Sequence, residues 1–178
     1  MPDIHAYLSA SSSDRWTHCP PSAKLNAAVQ ERASPYALEG TCAHSLCEYL
    51  VLTALGRECQ DPTENLDVYN SEMQDAAESY RDFFMEQVAE AKKFCADPVV
   101  CVEQRVDFSK WVPEGFGTAD GLIVTDGYLQ VIDMKYGVGV LVDAKENTQL
   151  SCYALGGIDL YDGLYDIQKV KLSIFQPR

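Results

Sequence analysis

Apolar residues recur at helical spacing in two long stretches of the first half of the chain. Ala43, Leu46, Cys47, Leu50, Val51 and Ala54 share one face and predict a helix from about Leu38 to Leu55. Met73, Ala76, Ala77, Tyr80, Phe83, Phe84, Gln87, Val88, Ala91 and Phe94 make a longer stripe, read as a core-packing face. Ser71 serves as the N-cap of that second helix, Gln74 completes a capping-box-like pair, and Asp97-Pro98 stops it. Upstream, the run from Ser11 to Pro21 reads as a turn-rich entry. A short helix follows from Ser22, its N-cap, to about Val29. Residues 56–70 are polar and punctuated by Gly, Pro and Asn, the signature of a loop.

The second half changes period. Val99–Val102 leads through Glu103, Arg105 and Asp107 as a strand. The segment Ser109–Phe116 reads as a loop carrying two exposed aromatics, Trp111 and Phe116. Such rings can stack on bases as single-strand binders do, although packing on the protein's own core is the commoner outcome. Gly121–Val124 and Tyr128–Ile132 flank Asp126-Gly127, a strong hairpin signal, because a type I′ turn needs positive φ at both central residues. Asn147 then caps a helix to about Leu155, and Lys169–Phe175 is a final strand. The element order is α/β: long helices, a three-strand antiparallel meander, a crossover helix and a fourth strand. One domain is expected, with 1–95 mainly helical and 96–178 forming the sheet core.

Composition changes this picture little, and charge changes it more. The 178 residues are 47% hydrophobic and 23% charged, ordinary for a globular domain. No apolar run approaches ~18 residues and the N-terminus has no basic or apolar leader pattern, so a soluble, cytoplasmic protein with no membrane partner is expected. Seven cysteines in no framework spacing read as reduced thiols. The chain stops just past its last strand, which suggests a chain cut short or a small phage-type protein. The net charge of −13, from 27 acids and 14 bases, argues against tight duplex binding by this chain alone. A metal ion supplies positive charge locally, and a basic protein partner could supply the rest.

The candidate chemistry sits around the hairpin. Asp120 and Asp133 are about equally far from the turn, so both carboxylates should reach the same end of the sheet. Asp133 and Lys135 are two apart on an extended chain and face the same way. Two carboxylates and an ammonium beside apolar strands are costly to bury without a partner, and a divalent cation with oxygen ligands is the simplest one. His44 and Glu48 stand at i and i+4 on the first long helix and share a face. His44 reads either as a metal ligand, its ring oriented by Glu48, or as a histidine satisfied by Glu48 at the core edge. Gln149 and Tyr153, also i and i+4, face Lys135 if the crossover helix packs as expected. Gly137 and Gly139 read as letting backbone pass close to the site.

Four motifs in order, Glu39-Gly-Thr-Cys-Ala-His44, Gly117-Thr-Ala-Asp120, Asp133-Met-Lys135 and Gln149-Leu-Ser-Cys-Tyr153, resemble the PD-(D/E)XK nuclease superfamily. The likeness is greatest to its RecB branch, which includes Cas4-like exonucleases, in a phage or prophage-type member. It spans residues 39 to 153. The resemblance implies a mixed central β-sheet flanked by helices, the restriction-endonuclease-like αβββαβ core. It implies a Mn²⁺- or Mg²⁺-dependent DNA nuclease, an exonuclease on ends or single strands. Asp120, Asp133 and Lys135 would be catalytic, and His44, Asp120, Asp133 and the Met134 backbone carbonyl would hold the metal. Glu103 stands where related nucleases often carry a site acid, with a solvated edge carboxylate as the other reading. Gln149 and Tyr153 would position the nucleic-acid backbone. An imidazole ligand tilts the preference toward manganese. Cys19 falls where the iron–sulfur subset has its first cluster ligand, but no cysteine follows Cys152, so no iron–sulfur cluster is predicted. Cys19 is instead expected as a small buried residue. The rival function is a catalytically weak or inactive nuclease fold acting as an acidic protein-interaction module.

Overall fold

Helices come first, and the long ones are each started by a capping side chain. The computed structural model describes residues 6–27, 34–137 and 140–177. Two short helices, α1 (Ser13–His18) and α2 (Pro21–Ala27), replace the expected turn and single short helix. The α2 helix opens on Pro21, whose fixed φ and missing N–H suit a first helical position, so Ser22 lies inside the first turn instead of capping it. Val29, the expected end of that helix, lies outside the described residues. Cys19, between α1 and α2, is exposed, contrary to the expectation of burial.

The α3 helix (Pro35–Ala54) begins earlier than the apolar stripe suggested. Ser34 is its N-cap, accepting from the Ala37 N–H at 3.1 Å, and proline again follows the cap. The α4 helix (Ser71–Lys92) is capped by Asn70, which accepts from the Met73 N–H at 2.9 Å, so Ser71 is helical. Gln74 pairs with Glu78 one turn on and closes no capping box. The helix ends before Phe94, whose exposed ring meets Tyr128 edge-on. Among the described residues, no helix is long and apolar enough to cross a membrane.

The sheet follows as anticipated. Strands β1 (Val99–Asp107), β2 (Phe116–Thr125) and β3 (Gly127–Met134) form an antiparallel meander. Helix α5 (Thr148–Tyr161) crosses over, and β4 (Ile167–Phe175) pairs parallel to β3, giving the order β1-β2-β3-β4. The fold is therefore α/β, with a four-stranded mixed sheet between helical layers. Alternation along each strand divides the core. Ile123, Ile132 and Met134 pack with α3 and α4, while Leu122, Val124, Leu129 and Val131 pack with α5. Gln87, the polar member of the α4 stripe, has its Oε1 in use: it accepts from Gln130 Nε2 at 3.1 Å and Lys171 Nζ at 2.7 Å, tying helix to sheet.

Three local departures have physical causes. The hairpin is not type I′, because Gly127 takes φ of 100° while Asp126 stays out of the left-handed region. Asp126 Oδ1 instead accepts from the Asp166 N–H, linking the turn to the start of β4. Helix α5 runs past Leu155 through Gly156-Gly157, where the pair acts as a contact surface and not a stop. A Cβ on Gly156 would lie 2.9 Å from Val106 Cβ, and one on Gly157 2.9 Å from Leu129 Cδ2. Phe116 begins β2 half-buried, its ring 4.0 Å below the Arg105 guanidinium, so of the two expected exposed aromatics only Trp111 is exposed.

Packing at the meander is tight enough to test. A Cβ on Gly121 would collide with the edge of the Phe84 ring and sit 3.4 Å from Ile132 Cβ. Phe84 is fully buried and has nowhere to swing. Gly121→Ala is therefore expected to lower unfolding stability by about 1–3 kcal/mol. Urea denaturation reads this directly, and a wild-type midpoint would show that α4 yields more easily than its packing implies.

Candidate metal centre

At the end of the sheet away from the hairpin turn, three elements deliver one ligand-type group each. Helix α3 contributes His44, β1 contributes Glu103 and β2 contributes Asp120. One ligand atom from each lies within 4.8 Å of the others. They line a cavity of about 10 Å³, which they share with Glu48, Tyr80 and Met134. That volume suits one water or one ion.

Backbone geometry explains why Glu103 reaches in. The register pairs Val102 with Gly121 and Gln104 with Ala119, so Glu103 stands opposite Asp120. Its φ is +50°, left-handed backbone in the middle of a strand. For a residue with a Cβ this costs on the order of 1–3 kcal/mol, and such outliers concentrate at functional sites. Glu103 is partly buried in the cluster, so the reading of a solvated edge carboxylate is corrected.

Asp120 links the cavity to the neighbouring strand. Its Oδ2 accepts from the Met134 N–H at 2.7 Å, and its Oδ1 faces His44 Nδ1 at 3.4 Å. The imidazole thus has Asp120 as its described partner. Glu48 lines the cavity but makes no hydrogen bond to His44 among the described residues, which corrects the expectation that it orients the ring. Helical i and i+4 spacing brings two residues to one face, whereas the ring here turns toward the sheet. Met134 meets the site through its amide, which is bonded to Asp120.

Asp133 follows Ile132, the residue paired with Gly121, and so reaches the same sheet end as Asp120, as expected. Its carboxylate belongs to a second constellation and is not one of the three converging groups. Lys135 Nζ donates to Gln149 Oε1 at 2.9 Å and to Asp133 Oδ1 at 3.2 Å. Gln149 Nε2 donates to Asp133 Oδ1 at 3.0 Å and to the Tyr153 hydroxyl at 3.2 Å. Asp133 Oδ2 is fully buried. It lies 2.9 Å from Lys135 Nζ as an ion pair and has no hydrogen-bond partner among the described residues. Gly117 has no side chain because the Tyr153 ring lies against it: a Cβ there would be 2.9 Å from Tyr153 Cε1. A Cβ on Gly137 would meet nothing within 4 Å, and Gly139 lies outside the described residues.

Electrostatics marks the cluster as short of positive charge. Burial, then the Asp120 charge, lifts Glu103 from 4.5 to about 7, against a smaller pull from His44. Burial and Asp120 likewise lift Asp133 to about 6, although Lys135 and His44 pull it down. Burial alone would lower His44, but its contact with Asp120 and the surrounding acids outweigh this and raise it above 6.5. An imidazole and two carboxylates around a cavity of this volume fit a divalent cation by chemistry and by size.

The model of a family described as "Protein of unknown function (DUF2800)" matches residues 5–178. The chain belongs to the DUF2800 family. No solved structure matches it.

Of the residues singled out in the sequence, this DUF2800 chain brings His44, Glu103 and Asp120 together. It gathers Asp133, Lys135, Gln149 and Tyr153 beside them. Tyr80 was missed, since nothing distinguishes it from the other members of an apolar stripe. Ser13 was missed too: it is buried, and its hydroxyl lies 2.7 Å from Thr148 Oγ1, docking α1 on the start of α5.

The shifted groups set a pH dependence whose sign can be worked out. Without metal, Glu103, Asp133 and His44 all hold protons more tightly folded than unfolded. Between about pH 5 and pH 7 the folded chain binds more protons than the unfolded one, so stability falls as pH rises. The metal-free thermal midpoint is expected to be higher near pH 5.5 than near pH 7.5. Glu103→Gln, which keeps shape without charge, is expected to raise the midpoint near pH 7.5 and flatten the slope. An unchanged slope in that variant would assign the effect to the general acidic excess instead.

Proposed function

We propose that this chain is a metal-dependent nuclease that hydrolyses DNA phosphodiesters, acting on ends or single strands in the cytoplasm. The observation that supports this reading is the meeting at one sheet end of an ion-sized His44–Glu103–Asp120 cavity and a Lys135 ammonium braced by Asp133 and Gln149. His44, Glu103 and Asp120 would hold Mn²⁺ or Mg²⁺, and the imidazole favours manganese. A divalent cation there supplies charge to the phosphoryl oxygens and eases deprotonation of the attacking water.

The chain's own groups do the positioning. Lys135 has three N–H donors and spends two, on Gln149 and Asp133. The third remains for a phosphoryl oxygen or the attacking water, and the side chain is 28% exposed, enough for a substrate to reach it. Gln149 spends both amide hydrogens inside the protein, so it acts on the substrate through Lys135. Asp133 fixes the ammonium, its Oδ1 3.2 Å and its Oδ2 2.9 Å from Lys135 Nζ.

The deciding experiment incubates the chain with single-stranded and duplex DNA, labelled at either end, with Mn²⁺, Mg²⁺ or EDTA. Cutting with Mn²⁺ that EDTA abolishes is the expected result, and the label reports end preference. The net charge of −13 favours a second reading, an acidic module that binds a basic protein. A folded chain that binds Mn²⁺ and cuts none of these substrates would select it.

A further inference from the structure

Tyr80 differs from its neighbours on α4 in one respect. Its ring does what the apolar stripe requires: it is 2% exposed, with ring centroids 6.0 Å from Phe84 and 5.6 Å from Phe175. Phenylalanine would do the same. The hydroxyl, however, is buried and makes no hydrogen bond to any described residue. A buried donor left without an acceptor loses its hydration with nothing in return. Tyr80 also forms part of the wall of the cavity that holds His44, Glu103 and Asp120. An unpartnered hydroxyl in the core is explained if its partner arrives with a ligand.

We propose that Tyr80 is a fourth protein group of the His44–Glu103–Asp120 metal site, a positioning residue whose hydroxyl donates to an oxygen, of a cation-bound water or of a ligating carboxylate, that is in place only when a divalent cation is bound. This rests on the metal-site reading above. The phenol is kept protonated there: burial first, then the nearby Asp120 charge, holds its pKa well above the ordinary value, so it acts as a neutral donor. The arrangement makes the metal-free state the strained one and the loaded state the satisfied one.

Tyr80→Phe tests this by two readouts, Mn²⁺ affinity by calorimetric titration and the thermal midpoint with EDTA or Mn²⁺. In EDTA the variant is expected to melt at or above wild type, because an unmet hydroxyl has been removed. Its Mn²⁺ affinity is expected to fall about tenfold, with a smaller rise in midpoint on adding metal. A merely structural tyrosine would show the reverse, a lower metal-free midpoint and unchanged affinity, and that result overturns the proposal. Wild-type protein that binds Mn²⁺ beside a Tyr80→Phe variant with equal affinity and equal midpoints also overturns it and leaves the metal site standing. Wild-type protein that binds no Mn²⁺ overturns both.

Discussion

Asp120→Asn is expected to abolish Mn²⁺ binding and DNA cutting together while the protein stays folded. Asp120 is the residue on which the cavity converges: it faces His44, stands opposite Glu103 and accepts the Met134 N–H. Asparagine keeps an acceptor oxygen for that N–H, so the local strand geometry has what it needs. What disappears is the anionic charge. Removing a ligand should cost more than the 10–100-fold typical of residues that only support one, so an affinity loss beyond about 100-fold is expected. Cutting should fall in parallel, since each 1.4 kcal/mol of lost transition-state stabilisation is about tenfold in rate. Metal-free stability near neutral pH should hold or rise, because Asp120 is the main charge lifting both Glu103 and Asp133. Calorimetric titration, a melt in EDTA and the nuclease assay read the three effects separately. Folded Asp120→Asn that binds Mn²⁺ as wild type does would remove Asp120 from the ligand set.

Much of this site was legible because its spacing is tied to backbone periods. Asp133 and Lys135 share a face through strand alternation, Gln149 and Tyr153 share one through helical spacing, and the hairpin length brings Asp120 beside Asp133. None of these needed coordinates. The misses are places where a period is locally broken or a side chain has a choice. Glu103 looked ambiguous because its inward turn depends on a left-handed φ inside a strand, which no pattern of side chains reveals. Glu48 looked like the partner of His44 because i and i+4 residues are neighbours, but a carboxylate on the facing sheet took that place. The helix expected to end near Leu155 runs on to Tyr161 through Gly156-Gly157, where close packing against Val106 and Leu129 outweighs the poor helix propensity of glycine. Ser34, Asn70 and Asn147 cap helices as their chemistry allows. Only Asn147 was read correctly, because Ser71 competed with Asn70 and Ser34-Pro35 lay ahead of the apolar stripe.

The acidity that argues against tight DNA binding bears on how the site would work. Basic groups are few, and around the candidate site Lys135 is the cation the geometry singles out. A substrate held by few ammonium groups must draw its orientation from the loaded metal cavity, so binding and cutting should share one metal dependence. A basic surface elsewhere on the chain would separate them: DNA would still bind in EDTA, with a steep salt dependence.

Lys135→Ala separates chemistry from metal binding. The ammonium is no member of the His44–Glu103–Asp120 set, so Mn²⁺ affinity should stay within a few-fold of wild type. Its third N–H is the group available to developing phosphoryl charge, and losing one such preorganised donor costs about 10²–10³ in rate. The variant also leaves Asp133 buried without its cation, and Gln149 Oε1 without its Lys135 donor. Breaking a buried pair in this way typically costs about 3–5 kcal/mol, and the low end applies because solvent reaches Lys135. Asp133, already raised to about 6, would answer by holding its proton to higher pH. Lost cutting could therefore be mistaken for lost structure, and Lys135→Arg supplies the control. Arginine keeps the charge beside Asp133 and should restore most of the stability. Its planar fork presents donors in a different geometry, so cutting should remain well below wild type. If Lys135→Ala is folded and cuts DNA at the wild-type rate, Lys135 is a structural partner of Asp133 and the catalytic role falls.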